Sequence, residues 1–534
     1  MHLILTSFLS KKHLSLTLAV LLLSGFGSWV LGQSTVYPVE QVSFHIPKTL
    51  YFAGEKLWFD ARVVQQNQPS ASQVLYAELV DRNAVSVSHV KVPLENGEAV
   101  NFLKLSDQIP SDHYLLRVYT RISPYLDLNQ GVSQQFVTVI NPRIPPKAPQ
   151  KRFKNNPQVQ KTFSKGAGID FSLSDKVSTD VAGISIANPY LPEEQRQWSS
   201  TDLYAELEKE SLLPELFGHI VKAKVPNLDS SLTYFISVHG TQSALYTDHV
   251  DETGTLAVDI GGLRHWDRLI LQLESGQEMP GLEVISPVIK TKFKDGVDFP
   301  ELSLEERDLE VLSGLLKASL LQAYYLEQSE NDSLEVVTGF VADYTYHLDD
   351  YTRFENVETV VREYVPSVAV RTRDKKKEFR LLNEANKSIF DANPLMLVDA
   401  MPVFDSDLLS AFNPKLIQKL EVLNREFYLN DRTYPGVLSF SSYSNNFGLF
   451  PLAPSARYFD YHGLQPLIRL DKNQFTSPSK NDRFPDWRTT LYWGTGQDQV
   501  STSGPDLPGI YVFWERITKN GVTSINRTYF EILP

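Results

Sequence analysis

A chain of 534 residues is several times the usual size of one domain, so three or four folding units with their own cores are expected. With 42% hydrophobic and 11% aromatic residues the chain is not disordered by default, and a formal charge of −13 argues against nucleic acid as a partner. Cysteine is absent, which excludes disulfides, a lipobox acyl anchor and any thiolate ligand or nucleophile.

Lys11, Lys12 and His13 precede an apolar run over residues 14–26, followed by small and turn-prone residues to Gly32. That order predicts a Sec signal peptide over 1–32, cleaved after Gly32. The run is too short for a helix that must span a core of ~30 Å with roughly 20 apolar residues. Cleavage takes two of the 51 basic residues and none of the 64 acidic ones, so the mature chain becomes more acidic. No later stretch approaches roughly 18 uninterrupted apolar residues, and no direct membrane span is expected. Export without acylation or disulfides suits a periplasmic protein, or one at the cell surface.

From residue 42 to 139, short β-branched and aromatic runs alternate with turn signals such as Ala53-Gly54 and Asn96-Gly97, which predicts an antiparallel sandwich over 33–142. The partly alternating runs 74–80 and 114–119 should bury one face and wet the other. Residues 143–167 read as a linker: five prolines and the cluster Lys147, Lys151, Arg152 and Lys154 fall within 141–157. The same basic cluster would alternatively dock on anionic lipid or an acidic partner. A second sandwich is expected over 168–300, with strands at 232–238 and 269–273 and an acidic helical insert at 199–213 opened by Ser-Ser-Thr-Asp. Residues 301–335 form a helical connector, in which Leu309, Leu312, Leu315, Leu316 and Leu320 recur near helical spacing over 302–328 and are read as core. The segment 336–453 mixes helices at 354–364 and 405–411 with strands at 368–371, 395–398, 416–422 and 436–440, an α+β unit. The last unit, 454–534, returns to strands, for example 509–513 and 528–532. The fold class is therefore mainly β: tandem immunoglobulin-like or macroglobulin-like sandwiches with one small α+β domain.

A search for chemistry finds no Gly-x-x-x-x-Gly-Lys loop, no His-Glu-x-x-His and no Gly-x-Ser-x-Gly elbow. The eleven histidines are scattered. One oxygen and imidazole cluster stands out, Asp343-x-x-x-His347-x-Asp349-Asp350 in a tyrosine-rich turn, either metal ligands or solvated, helix-capping acids. No catalytic residue, cofactor or metal is assigned, and the chain is read as a non-enzyme. Chance carboxylate pairs among 64 acids leave an envelope hydrolase as the alternative, beside a glycan-binding protein.

The run Ile46-Pro47-Lys48-Thr49-Leu50-Tyr51-Phe52-Ala53-Gly54-Glu55-Lys56-Leu57-Trp58-Phe59 resembles the opening of the macroglobulin-type β-sandwich. The resemblance continues through Asn96-Gly97 and Pro110-x-x-x-Tyr114-x-Leu116-Arg117-x-Tyr119-Thr120, with Ser111-Asp112-His113 where that family favours glycine. On this reading Gly54 frees a turn and Trp58 fills the space between the sheets. Alpha-macroglobulins trap proteases through a thioester built on cysteine, so only the scaffold carries over. A second resemblance, to the plug domain of TonB-dependent outer-membrane receptors, rests on the segments 393–403, 412–422 and 434–440. Ala400 replaces the usual glycine there, and the single Gly436 stands where two are common. Only 94 residues follow Phe440, whereas a receptor barrel of ~22 strands of ~10 residues needs roughly 220. The whole order, a macroglobulin-like sandwich, a carboxypeptidase-regulatory-like second sandwich over 168–300, a barrel-less plug-like unit and a final Pro485-Asp486-Trp487-Arg488-Thr489-Thr490-Leu491-Tyr492-Trp493 segment, resembles a family of Bacteroidetes envelope proteins.

These resemblances imply a binding or assembly protein that associates with an outer-membrane protein or channel, for example in the type IX secretion translocon, plugging or gating it. The residues expected to carry the interaction are Asp399, Asn413, Arg425, Asp431, Arg432 and Gly436. The competing expectation is a spacer in which Asp399, Asn413 and Gly436 merely shape turns.

Overall fold

The computed structural model describes residues 37–534, apart from 148–153, 156, 176, 193–198, 227–228, 323–327, 331–338, 471, 473–484, 496–498 and 520–521. The expected leader, and Lys151 and Arg152 of the basic cluster, lie outside the described residues. The chain is mainly β, and residues 40–534 form one compact unit. Among the described residues no helix is long and apolar enough to cross a membrane.

The first sandwich is built as its alternating text requires. One sheet joins Glu40–His45, Lys56–Gln65, Gln68–Pro69 and Glu98–Lys104; the other runs Leu50–Phe52, Ser133–Ile140, Asp112–Tyr119, Val74–Val80, Ser86–Pro93. Leu57, Phe59, Ala61 and Val63 meet Leu75, Ala77, Leu79, Leu116 and Val118 between them. Gly54 turns the chain at φ +89°, a conformation only glycine adopts without strain. The Tyr114 hydroxyl donates to the Pro110 carbonyl at 2.8 Å, closing the loop that the Pro-x-x-x-Tyr spacing marks.

Two expectations about this domain fail. Trp58 does not fill the inter-sheet space: strand alternation sends Leu57 and Phe59 inward and Trp58 to the opposite face, against Ile468, Trp493 and Phe102. Strands Val74–Val80 and Asp112–Tyr119 have no wet face either, since every residue of 74–80 and of 114–119 is buried. Their outer face is covered by later parts of the chain, including Leu203, Tyr204, Ile289 and Leu464.

Beyond residue 142 the sheets do not follow the linear boundaries. The second sandwich is discontinuous: its five-stranded sheet runs Val159–Phe163, Val522–Ile532, Gly509–Lys519, Thr179–Ile186, Thr490–Thr495, and Gly168–Ser172 pairs with Gln499–Ser503. The expected C-terminal unit thus shares a sheet with residues expected in the preceding sandwich, and the expected linker contributes the strand Val159–Phe163. Helix Asp308–Leu321, shorter than expected, packs Leu312, Leu315 and Ala318 into this core together with Leu50, Phe52 and Ile140 of the first sandwich. Leu309 and Leu320 remain largely exposed, so only the middle of the leucine stripe is core.

A third sandwich takes the rest of the expected 168–300 region. Its sheets run Thr255–Asp259, Ile220–Lys224, Glu283–Ile285 and Ala244–Asp248, Tyr234–Gly240, Trp266–Leu273, Arg457–Asp460. The helical insert shrinks to one turn, Ser200–Leu203, capped by Ser199, and the chain then becomes the strand Tyr204–Leu207 paired with Thr291–Phe293. Sheet pairing outweighs local helix preference here.

The α+β unit matches its sequence closely. Its sheet runs Tyr344–His347, Ile417–Leu423, Val437–Ser442, Leu395–Val398, Met401–Pro402, with Leu395–Val398 parallel to Val437–Ser442. Helices Val357–Tyr364 and Ser406–Ala411 start on the caps Asn356 and Asp405, whose side chains accept from Thr359 N and Leu408 N. Val357, Val360, Val361 and Leu409 close the core over Phe379, Val398, Leu420 and Phe440.

Candidate functional site

Three of the six expected interaction residues shape turns. Asp399 is buried at φ +48°, and its carboxylate accepts from Ser442 N (2.7 Å), the Ser442 hydroxyl (2.6 Å) and Phe447 N (2.7 Å). Next to it Ala400 sits at φ +65°, where glycine would be unstrained. Asn413 accepts from Lys415 N and opens the turn Pro414–Leu416. Gly436 stands at φ +92°, and a Cβ there would lie 2.3 Å from the Leu423 carbonyl oxygen.

The three charged candidates are engaged within the chain. Arg425 bonds Asp343 at 2.5 Å, Asp431 meets His249 Nε2 at 3.1 Å, and Arg432 pairs with Glu274. His249 and Glu274 belong to the third sandwich, so Asp431 and Arg432 help seat the α+β unit on it. The Gln272 amide adds a bond to the Pro402 carbonyl at the Met401–Pro402 edge of the sheet. One edge of the α+β sheet is therefore covered by the third sandwich. A shallow cleft of about 640 Å³ remains at this seam, lined by Asn393, Phe404, Asp431 and Arg432 among others.

The opposite edge is Tyr344–His347. It pairs with Ile417–Leu423 on one side, and among the described residues no strand pairs with its other side. Tyr344, Thr345 and His347 are exposed. Asp343 anchors the strand by accepting from Asn424 N at 2.9 Å and from Arg425. Behind the edge lies a ring cluster: Tyr351 is 4.6 Å from Tyr364 and 6.4 Å from Tyr346, and Phe354 is 5.6 Å from Tyr364. Arg353 holds the next turn, donating to the Ile417 carbonyl at 2.6 Å, to Asp349 at 2.5 Å and to the Tyr443 hydroxyl at 2.6 Å. The Tyr443 hydroxyl, with the Arg353 guanidinium, keeps the Asp349 carboxyl below the usual range. The Asp343, His347, Asp349, Asp350 set is accordingly not gathered for a metal, since two of its acids are taken by arginines; among the described residues no group of three ligand side chains converges. Sequence reading noted the tyrosine-rich turn but not the edge, because which strand ends a sheet depends on pairings far away in the chain.

A cluster of buried ionisable groups lies elsewhere, on the covered outer face of the first sandwich. Arg117 and Glu78 are fully buried and bonded at 2.5 Å, and Arg117 reaches on to the Ile289 carbonyl and the Thr291 hydroxyl, each at 2.8 Å. Beside them Glu215 accepts from Arg121, the Tyr76 hydroxyl and Ile220 N, and His219 lies between Glu215 and the Tyr461 hydroxyl. Burial opposes ionisation of Glu215, but the bond from His219 and the charge of Arg121 hold its carboxyl below the ordinary value. Burial pushes His219 down to about 4, so its ring is neutral at pH 7. Each carboxylate is already matched by a guanidinium. The arrangement ties the first sandwich to residues 215–220, 289–291 and 461, which is a structural task.

No family model and no curated protein matches the chain. Among solved structures, E. coli alpha-2-macroglobulin in its native conformation aligns with 94% of this chain and 40% of its own length, at 9% identity and a TM-score of 0.22. Salmonella alpha-2-macroglobulin reacted with methylamine aligns with 94% of this chain and 24% of its own, at 10% identity and a TM-score of 0.16. The CARDB domain of a Pyrococcus furiosus protein aligns with 20% of this chain and 98% of its own, at 13% identity and a TM-score of 0.16. The chain spans less than half the length of those macroglobulins, and TM-scores this low carry no functional argument. What stands is a mainly β chain with a low-identity structural similarity to bacterial alpha-2-macroglobulin over most of its length.

Proposed function

We propose that this chain is a non-catalytic binding and assembly protein of the bacterial periplasm that associates with an outer-membrane protein or channel through its α+β unit. The observation that carries the reading is the asymmetry of that unit's sheet: the Met401–Pro402 edge is seated on the third sandwich, while Tyr344–His347 is open. An unpaired strand edge presents a row of backbone donors and acceptors ready to accept another strand. This edge carries neither lysine nor proline to repel one, and its exposed Tyr344 offers rigid, amphipathic contact area. The plug-like segments at 393–403, 412–422 and 434–440 support a partner among outer-membrane channels, the type IX translocon being one client, and a Bacteroidetes envelope as the setting. Arg425, Asp431 and Arg432 then serve to hold the unit in place, and the recognising face moves to residues 343–351.

Binding to detergent-extracted outer-membrane proteins tests this directly. Thr345→Lys places a charge in the edge, leaves the buried core untouched, and should abolish retention of an integral outer-membrane protein that wild type retains. Equal retention by a folded Thr345→Lys variant, or retention of soluble proteins alone, refutes it.

A further inference from the structure

Between the first and second sandwiches lies an open cleft of about 570 Å³. Its floor is one face of the second sandwich. Strand alternation puts Val512, Trp514 and Arg516 on that face, and the register sets Tyr529, Arg527 and Ile525 directly opposite them. Tyr511 and Phe513 point the other way, into the core. Trp514 lies flat because Gly183 is beneath it: a Cβ there would come within 2.5 Å of the indole. The wall is formed by Phe44, His45 and residues 133–136 of the first sandwich.

The charge of this cleft is unlike that of the chain. The protein carries a formal −13, yet among the described residues lining the cleft none is a carboxylate, while two guanidinium groups face it. Arg516 donates to the Phe44 carbonyl at 3.2 Å, and among the described residues neither Arg516 nor Arg527 has a carboxylate partner within salt-bridge distance. The other two basic residues of the lining add nothing: Lys48 is neutralised by Glu55 at 2.9 Å, and His45 accepts from the Trp493 indole at 2.9 Å, burial pushing it down to about 4. Arg516 and Arg527 occupy diagonal positions on adjacent strands, roughly 7–8 Å apart. Two planar forks at that spacing suit two carboxylates on one ligand.

The rest of the lining narrows the ligand class. The floor strand Gly509–Lys519 is paired on both sides, whereas Val522–Ile532 is paired on its outer side only over Tyr529–Ile532, by Val159–Phe163. The floor itself is a sheet face, from which side chains rather than backbone groups project, so a ligand lying on it is read by side chains. Those on offer are aromatic side chains (Trp514, Tyr529) interleaved with amides and hydroxyls such as Gln135 and Ser524. Polar groups placed around apolar faces are the chemistry of a ligand that has both ring faces and hydroxyls. We propose that this cleft binds an acidic oligosaccharide, with Arg516 and Arg527 taking sugar carboxylates and Trp514 and Tyr529 taking ring faces. This site is separate from the open edge of the α+β unit.

Calorimetric titration of the full chain with tetragalacturonate, with neutral cellotetraose and with an aspartate-rich octapeptide decides the matter. Saturable binding of tetragalacturonate alone is expected, weakened at least tenfold by Arg527→Gln and unchanged by Arg373→Gln, a remote exposed control. Circular dichroism confirms that both variants are folded. Absence of tetragalacturonate binding, equal binding of the octapeptide, or an unaltered Arg527→Gln would overturn the proposal.

Discussion

The buried pair of Glu78 and Arg117 gives the sharpest test of how the sandwiches are joined. Both side chains are fully buried, so solvent screening does not reduce their interaction. Burial alone would lower the Arg117 pKa, yet the Glu78 charge keeps it above the ordinary value. Removing one partner from such a pair typically costs about 3–5 kcal/mol, because the other charge is stranded. Glu78→Gln keeps an acceptor for the Tyr119 hydroxyl at 2.7 Å and should fall near 3 kcal/mol, the lower end of that range. Arg117→Met strands Glu78 instead and orphans the Ile289 carbonyl, adding roughly 1–3 kcal/mol. The double variant carries no stranded charge and should cost no more than either single one. Urea unfolding followed by tryptophan fluorescence supplies these differences, and hydrogen exchange at residues 287–293 shows whether that segment loosens in Arg117→Met. Strictly additive effects, or single variants within about 1 kcal/mol of wild type, would refute a coupled charge pair at this joint.

Two further outcomes follow from named positions. Lys91 is buried with its ammonium 4.2 Å from the Tyr461 ring centre, and burial lowers its pKa to about 7. The unfolded chain holds that proton up to about 10.4, so stability should rise with pH between about 7 and 10 and carry the full penalty below 7. Lys91→Met should therefore raise the melting temperature at pH 6–7, with the gain shrinking toward pH 10; a pH-independent effect contradicts the assignment. Gly436→Ala forces a Cβ to 2.3 Å from the Leu423 carbonyl oxygen at a positive φ, and should destabilise the α+β unit by about 2 kcal/mol or more in thermal unfolding.

Local order was legible where local chemistry dictates it. Residues 74–80 and 395–398 are strands with the bounds the sequence suggests, and Asp405 announces the helix it caps. Long-range pairing was not: Thr179–Ile186 lies beside Thr490–Thr495 and Gly509–Lys519, more than 300 residues away, and no short-range pattern records that. Trp58 was misplaced because Leu57, Trp58 and Phe59 are all apolar, so period-two alternation cannot say which side faces the core until the second sandwich covers the other. At the candidate site, Asp399, Asn413 and Gly436 were visible as turn residues because their conformational demands are local. The engagement of Asp431 and Arg432 by the third sandwich, and the openness of Tyr344–His347, depend on how separate units meet.

Site-specific photocrosslinking tests the central claim most directly. A photoreactive side chain replacing Tyr344, in the full-length protein made in its own envelope, should yield one dominant adduct with an integral outer-membrane protein. The same group replacing Val177, which is 96% exposed on the second sandwich, should not. An equivalent adduct pattern from both positions, or none from residue 344, would contradict the account.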